Sequence, residues 1–176
     1  YRVVMVLDQG TWRIRAWQRA AEQPEPSWTP VQAVEQAGAV RTAGSELQID
    51  GQPFSVRGAN YYPAVTPWTL FWGAYDPLQT DRDLRAMREL GLNTARIFVP
   101  YADFGADAVD PQMLAHLRDF LDRAEANGLK VVVTLFDHRT DHSIENWGAD
   151  ELHLRGVVGP LAAHPAILAW DLKNEA

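Results

Sequence analysis

Residues 128–138 read GLKVVVTLFDH and carry the strongest indication of the fold. Its apolar run Val131–Phe136 does not alternate polar with apolar side chains, which is typical of a strand buried on both faces. Similar runs begin near Phe54, Thr94 and Ile167, so strand-like segments recur at intervals of 36 to 40 residues. This spacing leaves room for one helix between consecutive strands, and it predicts repeated βαβ units in a parallel sheet.

Helical patterns fill the intervals between these runs. One helix is predicted to end at Gly91, a second to run from Asp110-Pro111 to residues 127–128, and a third, weaker one to cover residues 150–163. No glycine-rich phosphate-binding turn follows any of the four runs, which argues against an open nucleotide-binding sheet and favours a barrel. The predicted fold class is α/β, a (β/α)8 TIM barrel of which the first four β/α units are present.

A short β-rich segment and a proline-containing linker, residues 1–44, precede the barrel half at 45–176. Two strand-like runs, Val3–Leu7 and Trp12–Trp17, lie before the prolines at positions 24, 26 and 30. The segment is either a remnant of a preceding β-rich module or a hairpin packed on the barrel. Asp50-Gly51 predicts a tight turn with two positive φ angles at the start of the barrel half. Because the chain begins with Tyr1 rather than Met, we expect it to be a piece of a longer protein.

Composition excludes several classes of function. The formal net charge is −7 and the pI is about 5.1, so an electrostatic nucleic-acid or membrane-surface partner is not expected. There is no Cys, which excludes disulfide scaffolds and thiolate metal sites. The longest apolar runs are too short to cross a bilayer. An acidic, cysteine-free α/β chain is compatible with many enzymes and binding modules.

Candidate site residues lie where the predicted strands end, because barrel active sites form at the carboxyl ends of the strands. Glu175 follows the last strand, where a partly desolvated carboxylic acid can hold a proton and deliver it to a leaving group. The alternative role for Glu175 is structural, as an exposed carboxylate that caps the next loop. Arg96, within an apolar strand, should meet a carboxylate, either to support an anionic nucleophile or as a structural ion pair. His138 is expected to form a polar wall of the cleft, and its spacing from His142 leaves a metal site as a disfavoured alternative.

The segment after the first strand carries six of the eighteen aromatic residues within fifteen positions. Such a loop is typical of a stacking surface for the apolar face of a sugar, although the rings could instead cover the top of the barrel. The predicted substrate-binding residues, here and at the other strand ends, are Asn60, Tyr61, Tyr62, Trp68, Trp72, Tyr101 and Trp147.

Four pieces of the chain carry a resemblance to a known family. They are residues 50–60 (DGQPFSVRGAN), 89–96 (ELGLNTAR), 128–133 (GLKVVV) and 170–175 (WDLKNE). In this order and spacing they resemble the first half of a clan A glycoside hydrolase barrel, above all the family five cellulases and mannanases. Residues 1–44 show no such resemblance.

The resemblance implies retaining hydrolysis of β-linked glucan- or mannan-type sugars, an oligo- or polysaccharide substrate, no cofactor and an extracellular or periplasmic location. It implies that Glu175 is the general acid/base, that Asn174 binds the sugar 2-hydroxyl, that Arg96 supports the nucleophile and that His138 lines the cleft. Retention requires two carboxyl groups about 5–5.5 Å apart.

The chain also departs from the family pattern. The family's nucleophilic Glu lies on a seventh strand, so we expect these 176 residues to need the missing C-terminal half-barrel for activity. Ala176 stands where a proline usually follows the Asn-Glu pair. Two alternatives remain open: a non-catalytic carbohydrate-binding or structural half-barrel, and an exo-β-glycosidase of the family two kind.

Overall fold

The computed structural model describes residues 40–174 in full, together with the backbone of residues 3–8 and 11–16. Nine strands are present in these ranges: β1 Val3–Asp8, β2 Thr11–Ala16, β3 Val40–Ala43, β4 Glu46–Ile49, β5 Gln52–Pro53, β6 Gly58–Asn60, β7 Thr94–Pro100, β8 Lys130–Asp137 and β9 Ile167–Asp171. Four helices accompany them: α1 Leu70–Gly73, α2 Pro77–Glu89, α3 Pro111–Ala126 and α4 Trp147–Val158.

The central sheet is parallel and has the strand order β6-β7-β8-β9, so chain order and spatial order coincide. The helices α2, α3 and α4 connect successive strands. This is the architecture of the first four units of a (β/α)8 barrel, and it confirms the predicted fold class. Two small antiparallel sheets, β1-β2 and β3-β4-β5, complete the described part of the chain.

Local sequence signals account for several boundaries. Asp50 and Gly51 have φ angles of 51° and 74°, which confirms the predicted tight turn between β4 and β5. Asp110 caps α3 by accepting hydrogen bonds from the backbone N–H groups of Gln112 at 2.7 Å and Met113 at 3.2 Å. Such a cap contributes about 1 kcal/mol to helix stability.

Two predicted boundaries are wrong. The first barrel strand begins at Gly58 rather than near Phe54, because the Phe54 backbone N–H donates to the carbonyl of Leu47 at 2.7 Å and so belongs to the preceding hairpin. The third helix runs from Trp147 to Val158 and ends before Gly159-Pro160, since proline cannot donate the hydrogen bond that continues a helix.

The core lies between the parallel sheet and the helices. The apolar stripe of α3 faces it with Leu117, Phe120, Leu121 and Ala124, all fully buried. Burial of a side chain such as Leu117 contributes about 2 kcal/mol. None of the helices in the described ranges combines the length and low charge that crossing a membrane demands.

Candidate active site

A cleft of about 310 Å³ opens at the carboxyl ends of β7 and β8. Its walls include Tyr101, which follows β7, and His138, which follows β8. These two residues were predicted to bind substrate and to line the cleft, and the structure brings them to the same opening. The other lining residues are Thr69, Pro100, Ala102, Asp103, Arg139, Thr140 and Asp141.

The end of β8 has an unusual backbone. Phe136 and His138 have φ angles of 53° and 61°, in the left-handed region that costs a residue with a side chain about 1–2 kcal/mol. Between them lies Asp137, which is buried, with its Oδ2 3.4 Å from Nε2 of the exposed His138. The strained turn directs His138 outward to the cleft rather than onward along the sheet.

A second polar cluster forms around Arg96. Its Nη2 lies 2.5 Å from Oδ2 of Asp171 and its Nε lies 3.2 Å from the same oxygen. Both Nη atoms donate to Oδ1 of Asn174 at 3.3 Å, and Nη1 reaches Oδ1 of Asn60 at 3.5 Å. The structure therefore brings together three predicted site residues, and it confirms that Arg96 meets a carboxylate.

An aromatic stack connects this cluster to the loop after β6. The ring of Tyr62 lies between Trp68, with centroids 5.0 Å apart, and Phe98, with centroids 5.2 Å apart. The guanidinium carbon of Arg96 lies 4.6 Å from the Phe98 centroid. Burial, followed by the negative charge of Asp137, raises the pKa of Tyr62 to about 12. Trp68 is 59% exposed and has a φ of 56°, so it presents its ring to solvent at the outer end of the stack.

Two of the predicted sugar-binding rings are instead part of the core. Trp72 is 1% exposed, and its Nε1 donates to the backbone carbonyl of Phe98 at 2.7 Å. Tyr61 is 6% exposed, and its hydroxyl donates to Asp83 at 3.0 Å. The rings of Tyr61 and Trp72, which were predicted to contact substrate, are therefore buried core residues in this structure.

The loop after β8 is held by a buried ion pair that sequence reasoning missed. Nε of Arg139 lies 2.5 Å from Oδ1 of Asp150, on α4, while the Arg139 guanidinium covers the ring of Tyr101 at 4.0 Å. His142 reaches the other oxygen of Asp150 at 2.9 Å. Trp147 lies at the first position of α4, where its Nε1 donates to the carbonyl of His142 at 3.2 Å. Trp147 therefore stabilises the loop, and it is not among the residues that line the cleft.

Glu175, the predicted acid/base, lies outside the described residues, directly after Asn174. Two supporting residues were not proposed from sequence: Asp171, which holds Arg96, and Thr134, whose Oγ1 donates to Asp171 at 2.9 Å. A carboxylate inside an apolar strand is the signal that could have found Asp171. Within residues 40–174, no group of three or more His, Asp or Glu side chains is placed to hold a metal ion.

The arrangement around Arg96 provides neutral amide and cationic guanidinium donors. An amide and a guanidinium at the mouth of a parallel sheet can bind hydroxyl groups and can stabilise a nearby carboxylate. The exposed ring of Trp68 adds an apolar surface. This combination suits a ligand that carries both hydroxyl groups and an apolar face.

Solved structures of other proteins have a similar fold to this chain. The structure is similar to an exo-β-1,4-mannosidase from Opitutaceae bacterium strain TAV5, with 25% identity over 81% of this chain and 28% of that one, at a TM-score of 0.58. It is similar to a GH5_18 protein from Streptomyces cattleya solved in complex with GlcNAc, with 21% identity over 69% of this chain and 34% of that one, at a TM-score of 0.58. A β-mannanase from the blue mussel Mytilus edulis shares 16% identity over 80% of this chain and 46% of its own, at a TM-score of 0.56.

No protein-family model matches the sequence, and no curated protein matches it. The chain spans less than half of the length of each of these three solved structures. The fold is that of the first four units of a (β/α)8 barrel. Within that fold, the structure is similar to an exo-β-1,4-mannosidase and to GH5_18 proteins, which agrees with the family five resemblance found in the sequence.

Proposed function

We propose that this chain supplies the acid/base half of a retaining β-glycosidase that acts on β-mannosides. The observation that carries the proposal is the cluster in which Arg96 binds Asn174, the residue directly before Glu175, at 3.3 Å. This contact lies at the carboxyl end of a parallel barrel sheet, where barrel enzymes place their chemistry. The names of the structural neighbours, an exo-β-1,4-mannosidase and a β-mannanase, support the choice of sugar.

The proposed reaction divides the work between two carboxyl groups. Glu175 donates its proton to the glycosidic oxygen as the bond to the anomeric carbon breaks, and a second carboxylate attacks that carbon to form a glycosyl-enzyme. Glu175 then removes a proton from the water that hydrolyses the intermediate. In this proposal the second carboxylate comes from a further strand of the barrel, outside the parallel sheet β6-β7-β8-β9.

The other residues have binding roles in this proposal. Asn174 binds the 2-hydroxyl of the sugar whose bond is cleaved, and His138 and Tyr101 line the cleft for the neighbouring part of the substrate. Arg96 keeps the nucleophilic carboxylate ionised by lying close to it. Tyr62 and Trp68 provide a stacking surface at the rim.

The test is Glu175→Gln in the full-length protein that carries this chain, with mannobiose and 2,4-dinitrophenyl β-mannoside as substrates. Mannobiose has a poor leaving group that needs a proton, so its turnover should fall by about 10³-fold. Formation of the glycosyl-enzyme from the dinitrophenyl substrate should fall far less, because that leaving group departs without a proton.

The matched control is Glu125→Gln, at an exposed position on α3, which should leave both rates unchanged. Equal turnover of mannobiose by Glu175→Gln and the wild type would overturn the assignment of the acid/base. A wild-type protein that binds mannobiose without cleaving it would favour the carbohydrate-binding alternative.

A further inference from the structure

One polar side chain from each strand of the parallel sheet takes part in a continuous hydrogen-bonded chain at the mouth of the barrel. Thr134 of β8 donates to Asp171 of β9, Asp171 binds Arg96 of β7, and Arg96 reaches Asn60 of β6. Asn174, just beyond β9, closes the chain by accepting from Arg96. The proposed function assigns roles to Arg96 and Asn174 and leaves Asp171 and Thr134 without one.

The Oδ2 atom of Asp171 already accepts hydrogen bonds from protein donors, so it cannot also contact substrate. Its Oδ2 accepts from Nη2 of Arg96 at 2.5 Å, from Nε of Arg96 at 3.2 Å and from Oγ1 of Thr134 at 2.9 Å. Three donors fill the acceptor capacity of that atom. Thr134 is fully buried, so its hydroxyl needs this bond and fixes the carboxylate in turn.

The hydrogen bonds that Asp171 accepts determine the orientation of the Arg96 guanidinium. With Nε and Nη2 on the carboxylate, the other side of the guanidinium points at the asparagines, and its plane lies over Phe98 at 4.6 Å. Both Nη atoms then donate to Oδ1 of Asn174 at 3.3 Å. An amide whose oxygen is engaged in this way must turn its NH₂ group away from Arg96. In the described part of the chain, that NH₂ group has no hydrogen-bond partner.

We infer that Asp171 is a positioning residue that acts through Arg96 to present the NH₂ group of Asn174 as a donor to the oxygen of the sugar 2-hydroxyl. The inference rests on the proposed function and adds the direction of that hydrogen bond. A hydrogen bond to the 2-hydroxyl strengthens in the transition state of retaining glycosidases. Loss of Asp171 therefore affects turnover more than substrate binding.

The experiment compares Asp171→Asn with the wild-type full-length protein on a 4-nitrophenyl β-mannoside and on its 2-deoxy analogue. On the mannoside, kcat should fall by about 30- to 100-fold with little change in KM, because a misplaced donor can cost about 10²-fold in rate. On the 2-deoxy analogue the loss should be at least about fivefold smaller than on the mannoside, since the contact to the 2-hydroxyl is absent there and only the effect of Arg96 on the nucleophile remains.

Two further variants keep the result independent of folding defects. Thr134→Val removes a donor to Asp171 without changing charge. It should lower kcat on the mannoside by about fivefold and lower kcat on the 2-deoxy analogue by less. Asn174→Ala should lower kcat on the mannoside at least as much as Asp171→Asn does, with a smaller fall on the 2-deoxy analogue. Adding Asp171→Asn to Asn174→Ala should lower kcat on the mannoside little further. Asp107→Asn, at an exposed position, is the matched control and should be indistinguishable from the wild type.

Each outcome decides one of the two proposals. Equal losses on both substrates, or additive losses in the double variant, would overturn the positioning role while leaving the glycosidase proposal intact. A wild-type protein without turnover on either substrate would overturn the proposed function, and the inference would fall with it.

Discussion

Two ion pairs of the same chemical type serve different purposes: one joins β7 to β9, and the other joins the loop after β8 to α4. In each, an arginine approaches an aspartate to 2.5 Å and lies over an aromatic ring: Arg96 with Asp171 over Phe98, and Arg139 with Asp150 over Tyr101. The side chains of the first pair are 27% and 31% exposed, whereas those of the second are 12% and 13% exposed.

The comparison shows that the surroundings of an ion pair, rather than its geometry, determine whether the pair belongs to a functional site or anchors a loop to a helix. Arg96 shares its remaining donors with Asn60 and Asn174 at an open mouth. Arg139 is enclosed between the ring of Tyr101 and α4, where it ties the loop after β8 to the helix. Breaking a buried pair leaves an uncompensated charge, which is far more costly than the net contribution of the pair itself.

The largest expected effect on stability is at the enclosed pair. Asp150→Asn should lower the free energy of unfolding by about 3 kcal/mol, because it leaves the charge of Arg139 buried without its partner. Chemical denaturation of the variant and the wild type at pH 7.5 measures the difference. Glu151→Gln is the matched control, since its pair with Arg155 is exposed and contributes below about 0.5 kcal/mol. If Asp150→Asn lowered the free energy of unfolding no more than Glu151→Gln does, the pair of Arg139 and Asp150 would not anchor the loop after β8.

A smaller effect is expected from His153, which packs against Tyr101 beneath the same pair. Burial lowers the pKa of His153 below its usual value of 6.5, and Arg139 contributes in the same direction while Asp150 and the carbonyl of Ala106 oppose it. The unfolded chain binds this proton more readily than the folded one, so stability is fully present above pH 6.5 and is lost as the pH falls below it.

The measurement is the free energy of unfolding between pH 7.5 and 5.5 for the wild type and His153→Gln. The wild type should lose up to about 1.4 kcal/mol per pH unit from this residue below pH 6.5. The variant should lose that part of the slope, because glutamine does not titrate. Identical slopes would show that His153 is protonated equally in both states.

The smallest effect on stability is expected at the open pair. Asp171→Asn should lower the free energy of unfolding by no more than about 1 kcal/mol, since solvent screens charges that are about one third exposed. This small loss would accompany the large fall in kcat expected from the positioning role. A stability loss as large as that of Asp150→Asn would remove the distinction between the two pairs.

Sequence reasoning predicted the elements whose signals are local. The turn at Asp50-Gly51 and the start of α3 at Asp110-Pro111 depend on neighbouring residues alone. The spacing of the apolar runs predicted the parallel sheet, because each βαβ unit repeats the same pattern. The requirement that a strand arginine meet a carboxylate predicted a partner for Arg96, although not which carboxylate it would be.

The remaining features depend on contacts that no local pattern encodes. Trp72 and Trp68 lie four residues apart in one aromatic-rich segment, and one is buried while the other is 59% exposed. Composition alone does not distinguish the inner rings from the outer ones. The pairing of Arg139 with Asp150 joins a loop to the next helix across eleven positions, which matches neither helical nor strand periodicity.

The left-handed backbone at Phe136 and His138 also constrains how this chain can change under selection. Each of these positions would be relieved of strain by glycine, which adopts positive φ freely. A population selected only for heat resistance would therefore be drawn toward glycine at position 138 and would lose the imidazole that faces the cleft. Persistence of histidine there would be a signature of selection for activity at the expense of stability.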